Sequence, residues 1–424
     1  MTTGILALII LSAILVQVAV VVLIGLYRRR RQYRNLDERG SEAQSLIESH
    51  APAPSATKPV TNDLSWEGFR EFMVQRREFE DSNRSICSFY LVPVDGKPLP
   101  VFRPGQFLSF RLLIEDSVAH QPKTVVRCYS LSDAPRPDYY RISIKRIPAP
   151  AERPDTPPGL SSSFFHDHVQ ESSRIFVKAP SGHFHLMEDE PLPIVLIGGG
   201  IGITPMLSIL NTLLEGETNR QIWLYYGVRN GGEHFMKEHL QTLARNYDNF
   251  HLRVCYSEPN ENDLEGEDYQ HTGRVAIPLL RTTLKPMRYQ FYVCGPGPMM
   301  ESLIPELKDW GVDSGDIYYE SFGPASLIKH EKAPLSPDTQ PVTVSFSRSG
   351  KSIPWDFDAD SLLEFAEANN IEVESGCRAG SCGSCQTAIQ VGDVDYNQEP
   401  DADLTPGHCL LCISTPTSDL TLDA

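Results

Sequence analysis

The sequence predicts a multidomain chain with four parts: an N-terminal transmembrane helix, an antiparallel β-barrel, an α/β domain with a parallel sheet, and a small C-terminal unit. Three observations predict it. The length, 424 residues, exceeds what one core usually serves. At Pro193 the rhythm changes, from short strand-like runs broken by Pro, Gly and Asp to strands alternating with helical periodicity. Of the nine cysteines, five lie between Cys377 and Cys412.

Composition is globular, with 41% apolar and 22% charged residues. The net charge of −17 argues against a nucleic-acid partner, whose phosphates want a basic face. That charge is uneven. Residues 1–34 hold five arginines and no acid, whereas Thr339 to the end holds 14 acids and 3 bases. An odd cysteine total with one tight cluster reads as metal ligation in a reducing compartment, not as a disulfide framework.

The first element is "ILALIILSAILVQVAVVVLIGL", residues 5–26, which carries no charge. As a helix it would run roughly 33 Å, enough to span a bilayer core. Arg28 to Arg31 and Arg34 follow, which puts the rest of the chain on the cytoplasmic side. A cleaved signal peptide would carry its charge ahead of a shorter apolar core and end in small residues. Residues 1–27 are therefore expected to be a single-pass anchor, and 28–62 a basic juxtamembrane segment running into an Ala-, Pro- and Ser-rich linker.

The barrel is expected over 63–188, from runs such as "ICSFYLVPV", "QFLSFRLLI" and "YYRISIKRI". The α/β domain is expected over 189–325. Its strands are "IVLIGGG", "QIWLYYGV", "HLRVCYS", "QFYVCGPG" and "DIYYESFG", with helices such as "PMLSILNTLLE" between them. A Pro-bearing linker, 326–340, leads to the last unit, 341–424, in which a strand "VTVSFS" and a helix "SLLEFAEANN" precede the cysteines.

Those cysteines are spaced Cys377-x4-Cys382-x2-Cys385-x26-Cys412, the plant-type [2Fe–2S] pattern. Sulfides and thiolates concentrate negative charge, so backbone N–H groups must turn toward sulfur, which needs small neighbours. Ala379, Gly380, Ser381, Gly383 and Ser384 are such neighbours. A zinc ribbon from Cys382-x2-Cys385 and Cys409-x2-Cys412 would leave Cys377 idle and needs an unusually long gap. Either Cys409 or Cys412 fits as the fourth iron ligand. The acids Asp356, Asp358, Asp360, Glu364 and Glu367 make either a docking face for a basic partner or simply a solvated one.

Upstream, "RCYS" (127–130) offers a guanidinium fork for a phosphate, an aromatic face and a hydroxyl. It stands between "RPGQF" (103–107) and "RISIKR" (141–146). In "GLSSSFFHDHV" (159–169), Gly159, Ser162 and Ser163 sit where a turn opens a helix, a place suited to phosphate. His166 and His168 read as surface residues at the start of that helix rather than metal ligands. "LIGGGIGITPM" (196–206) ends a strand and opens a helix, with Gly198, Gly199, Gly200 and Gly202 allowing close approach of a pyrophosphate and Pro205 suited to the first helical turn. "CGPGPMM" (294–300) does the same after a later strand, and "YYESFG" (318–323) closes the series.

Taken in this order, these motifs resemble the ferredoxin–NADP reductase superfamily. From Trp66 to Gly323 the chain is most similar to the reductase portion of flavohaemoglobins. The resemblance implies that Arg127, Tyr129, Ser130, Gly159, Ser162, Ser163 and Phe322 bind flavin. It implies that Gly198, Gly199, Gly200, Gly202, Thr204, Pro205, Cys294, Gly295 and Pro296 bind NAD(P)H, and that Ser130, Cys294 and Glu320 surround the reacting atoms. It favours FAD over FMN and NADH over NADPH, although Arg229 could meet a 2′-phosphate. The C-terminal unit resembles plant-type ferredoxins of β-grasp fold, whose last ligand is followed by a proline four residues on. "CISTP" puts Cys412 and Pro416 in that relation, which implies the ligand set Cys377, Cys382, Cys385 and Cys412.

The whole is similar to phthalate-type oxygenase reductases and hybrid-cluster-protein reductases, apart from the expected anchor. The implied function is membrane-anchored electron transfer from NADH through FAD and a [2Fe–2S] cluster to an oxygenase or other redox protein. The alternative is a tethered redox sensor or structural electron-transfer subunit without significant turnover.

Overall fold

The computed structural model describes residues 65–115, 122–149, 155–187, 190–216, 218–322, 342–397, 400 and 402–424. All belong to one unit, Asn62–Ala424. The expected anchor, the first linker and the 326–340 linker lie outside the described residues. Among those described, no helix is long and apolar enough to cross a membrane.

The first domain holds β1 (Arg70–Phe79), β2 (Ile86–Pro93), β3 (Phe107–Glu115), β4 (Pro122–Ser130), β5 (Tyr140–Lys145), α1 (Leu160–His168) and β6 (Arg174–Val177). The strands form one antiparallel sheet in the order β4-β3-β6-β1-β2-β5. Instead of a closed barrel, the sheet curls into a half-barrel. Its outer strands β4 and β5 share no ladder, and only a bridge between Leu131 and Ile142 joins the chain beside them. The cavity described below opens along this unladdered seam.

Helix α1 plugs the half-barrel. Its Phe165 is fully buried and meets the rings of Phe89, Phe110 and Tyr129 edge-on, at 5.4, 5.5 and 5.2 Å. Edge-to-face pairs add to a burial worth roughly 1.5–3 kcal/mol. The plug therefore also fixes the ring of Tyr129.

The second domain holds β7 (Ile194–Gly199), α2 (Ile203–Glu215), β8 (Ile222–Val228), α3 (Lys237–Asn246), β9 (Phe250–Tyr256), β10 (His271–Thr272), α4 (Ile277–Thr283), β11 (Gln290–Cys294), α5 (Gly297–Asp309) and β12 (Ile317–Glu320). Its strands pair in parallel, in the order β10-β9-β8-β7-β11-β12. With helices on both faces, Ile194 to Ile197 of β7 are wholly buried, so the strand reads as an unbroken apolar run. The chain winds outward from β7 on one side and resumes at β11 on the other. The crevice beyond the carboxyl ends of these two strands is the switch point where such sheets take ligands. Gly199 and Cys294 end there.

The third domain holds β13 (Thr343–Phe346), β14 (Lys351–Pro354), α6 (Leu362–Ala368), β15 (Gln386–Val391), β16 (Val394–Tyr396), β17 (His408–Leu410), β18 (Ser414–Pro416) and β19 (Leu420–Leu422). A mixed sheet runs β14-β13-β19-β15-β17, with β13 and β19 parallel, and β16 pairs with β18. Ser361 caps α6 by accepting the Glu364 N–H at 3.2 Å, and Glu364 reaches back to the Asp360 N–H at 2.9 Å. Phe365 then packs against Trp355, 4.9 Å between centroids. This core fixes the far end of the loop that carries the cysteines.

Candidate functional site: a cofactor cavity shared by three domains

A cavity of about 350 Å³ is lined by all three domains. The half-barrel contributes Arg127, Cys128, Tyr129 and Ser130 from β4, together with Gly159, Ser161 and Ser162 at the start of α1. The parallel sheet contributes Ile201, Thr204, Glu320 and Phe322. The cysteine loop contributes Gly376, Cys377, Arg378 and Ser381.

The proposed flavin residues converge. Ser130 and Glu320, 190 positions apart and both buried, meet through a Ser130 Oγ–Glu320 Oε2 hydrogen bond of 3.3 Å. Tyr129 OH bonds Ser161 Oγ at 2.8 Å, and burial pushes its pKa up to about 12, so it stays a neutral phenol. Burial, and then the charge of Arg378, lower the Arg127 pKa. At the helix start the serines divide their work differently from expectation. Ser162 is used locally, donating to Gly159 O at 3.0 Å and accepting from Ile147 N at 3.2 Å. Ser163 Oγ is buried with no partner among the described residues but does not line the cavity, so the expected flavin contact falls to Ser161 and Ser162 instead. His166, expected at the surface, is buried instead; it bonds Ile144 O at 2.9 Å and is structural.

Around the switch point the glycines serve several ends. A Cβ at Gly202 would run into the carbonyl of Cys294, and one at Gly198 would stand 3.0 Å from Ile203 Cα. These two let α2 pack against the sheet. A Cβ at Gly199 would meet Met299 Sδ at 2.7 Å and Pro296 Cδ at 2.8 Å, and one at Gly295 would strike Met299. Gly200 alone, at φ +54°, faces open space. Thr204 donates to Ile201 O at 2.9 Å, and Pro205 is buried in the first turn of α2. Cys294 is fully buried and does not line the cavity; burial, then Glu320, raise its thiol pKa. Arg229 is ion-paired to Glu233 at 2.7 Å.

The cysteine loop fits an iron–sulfur group by the chemistry of its donors. Cys377 Sγ receives N–H groups from Ala379, Ser381 and Cys382 at 3.4, 3.2 and 3.3 Å, and Cys382 Sγ receives that of Cys377 at 3.1 Å. Cys385 and Cys412 sulfurs lie 3.2 Å apart. Cys409 packs with Ser414 in the core, its pKa pushed up to about 12 by burial. Cys382 is held low by hydrogen bonds from Cys128 and Cys377, while hydrogen bonding to its neighbours holds Cys412 high. Thiols so crowded cannot all ionise without cations between them. Among the described residues no three His, Cys, Asp or Glu side chains converge on one point as for a single ion. A two-iron cluster takes its thiolates in pairs.

Among the cavity residues that escaped sequence reasoning are Ser161, Cys128 and Arg378. Cys128, the unassigned letter of "RCYS", hydrogen-bonds to Cys382 and to Ser109 Oγ, the latter at 3.3 Å. Arg378, the first residue inside the loop, reaches the cavity at φ +59° and is ion-paired to Glu367, one of the acids expected on a docking or a solvated face. No local signal announces either contact.

Residues 196–303 match the family described as oxidoreductase NAD-binding domain, and residues 346–417 the 2Fe–2S iron–sulfur cluster binding domain. A flavohemoprotein of Bacillus thuringiensis subsp. konkukian is 41% identical over 265 residues, 62% of this chain. The chain spans 63% of that relative's length. Among solved structures, the flavohem-like FAD/NAD binding domain of nitric oxide dioxygenase from Vibrio cholerae O1 biovar El Tor is 31% identical (TM-score 0.51). The match takes in 60% of this chain and 99% of that one. Phthalate dioxygenase reductase, whose described role is electron transfer from pyridine nucleotides to [2Fe–2S], is 27% identical over 84% of this chain and 98% of its own (TM-score 0.52). The chain is an oxidoreductase with FAD-, NAD(H)- and 2Fe–2S-binding domains. It belongs to the ferredoxin–NADP reductase superfamily, as a flavohaem-type reductase module followed by a C-terminal 2Fe–2S domain.

Proposed function

We propose that this protein is an NADH:acceptor oxidoreductase that feeds single electrons to an oxygenase or another redox protein, and that residues 5–26 anchor it to a membrane with its domains on the cytoplasmic side. The observation that carries the electron-transfer reading is the shared cavity, in which residues of the flavin motif and of the cysteine loop line one space. Bound there, FAD would take a hydride from NADH and give up electrons singly, and a [2Fe–2S] cluster at Cys377, Cys382, Cys385 and Cys412 would relay them.

The chain's own residues do the positioning. Tyr129, locked by Phe165 and Ser161, makes a rigid neutral wall. Ser130 and Glu320 hold a hydroxyl and a carboxyl group where the two sheets meet. Gly200 leaves room beside the switch point for a pyrophosphate. Inward N–H groups on Cys377 spread negative charge over the loop. The anchor rests on the apolar run and its arginines alone.

Anaerobic NADH titration tests the reading: flavin and iron–sulfur absorption should both bleach, and bleaching of flavin alone would break it. Deleting residues 1–34 should release the protein from membranes with NADH oxidation intact. A deleted form that stays bound would refute the anchor.

A further inference from the structure

We propose that Arg378, carried by the iron–sulfur domain, is the second cationic arm of the flavin site and grips the flavin phosphate opposite Arg127, so that flavin binding and docking of that domain reinforce each other. The proposal rests on the flavin reading of the cavity.

Arg127 and Arg378 line the same cavity from different domains, together with Gly159, Ser161 and Ser162 at the start of α1. They are close enough that the charge of Arg378 bears on Arg127, which is already disfavoured by burial. Two guanidiniums converging in a partly desolvated space repel unless an anion stands between them. Glu367 is the only acid ion-paired to either arginine among the described residues, and it leaves one positive charge over. A phosphate monoester or diphosphate supplies the missing negative charge, and planar guanidinium forks suit its oxygens.

The conformation of Arg378 also points to a purpose. A non-glycine residue at φ +59° is strained, and local structure must hold it in place. Glu367, on α6, holds it from behind with two hydrogen bonds, one of 3.0 Å, and Arg378 Nε is buried with no partner among the described residues. The side chain is thus aimed and fixed rather than solvated. A ligand touching both domains favours their docked state, and docking favours the ligand by the same factor.

The experiment titrates flavin-depleted, cluster-bearing full-length protein with FAD, FMN and riboflavin, following flavin fluorescence. Arg378→Gln should weaken FAD and FMN roughly ten- to a hundredfold while leaving riboflavin within about twofold. Arg378→Lys should restore most of the loss. Iron and sulfide content is measured on the same samples, so only cluster-loaded protein is compared; if the glutamine variant loses its cluster, the lysine variant gives the comparison, with a severalfold loss for FAD and none for riboflavin expected. Amide hydrogen exchange in residues 376–384 should slow on FAD binding in the wild type and not in Arg378→Gln. Unchanged FAD affinity, or an equal loss for all three flavins, overturns the proposal. A shift in NADH affinity in place of FAD would do so too, by assigning the phosphate to the nicotinamide nucleotide. Wild-type protein that binds no flavin overturns the underlying reading as well.

Discussion

Two glycine-rich loops carry the chemistry of this chain, and they use glycine for opposite reasons. In the turn after β7, Gly198 and Gly202 have ordinary backbone angles but no space, since a Cβ at Gly202 would enter the backbone of Cys294 on the neighbouring strand. In the cysteine loop, Gly383 has space but an unusual angle. It sits at φ +68°, with nothing nearer to a Cβ than Ala402 at 3.6 Å. Crowding fixes Gly198 and Gly202 and dihedral fixes Gly383, while Gly200 (φ +54°, open space) and the crowded Gly376 are the exception in each loop. Loops with similar sequences therefore tolerate change differently.

The largest effect should come from removing a ligand outright. Cys382→Ser should abolish the cluster's absorption and paramagnetic signals while NADH-driven dye reduction stays within about twofold, because the flavin cavity keeps its other walls. Loss of both activities would mean that the loops are not separable. Next comes Gly202→Ala, where backbone must yield to a methyl group. A loss of about 3 kcal/mol and weakened NADH binding are expected, read by thermal unfolding and substrate titration. Gly376→Ala is intermediate and tests crowding within the dihedral loop. Its Cβ would lie 2.6 Å from Cys382 Sγ and 2.9 Å from Ser384 Oγ. Iron content should fall, with a smaller loss of flavin because Gly376 also lines the cavity. Smallest is Gly383→Ala, about 1–2 kcal/mol of backbone strain with the cluster retained, and Gly383→Asn should recover part of it. Equal costs for Gly202→Ala and Gly383→Ala would erase the distinction.

Most of the architecture was legible because its signals are local. Alternating helix and strand around "IVLIGGG" and "QFYVCGPG" announced the parallel sheet, and the spacing from Cys377 to Cys385 announced the cluster. Choosing Cys412 over Cys409 rested on Pro416; both are buried in one core, with Cys412 Sγ 3.2 Å from Cys385 Sγ and Cys409 hydrogen-bonded to Ser414. What stayed hidden lies between domains. Cys128 and Cys382 are 254 positions apart, and Arg127 and Arg378 are 251, so neither contact leaves a period, spacing or composition to read. Glu367 looked like a solvated acid because its partner comes from a loop whose path only the fold defines. Half-closure of the barrel was equally invisible, since whether the outer strands meet depends on how far the sheet curls, which no local pattern records.

The order in which the cavity walls occur along the chain has a consequence for biogenesis. Synthesis delivers Phe107 of β3 and then β4 first, β5 and α1 next, then Ile201, Thr204, Glu320 and Phe322, and Gly376 to Ser381 last. A nascent polypeptide halted before residue 376 would lack the wall that Gly376, Cys377, Arg378 and Ser381 supply, leaving that side of the pocket open to solvent.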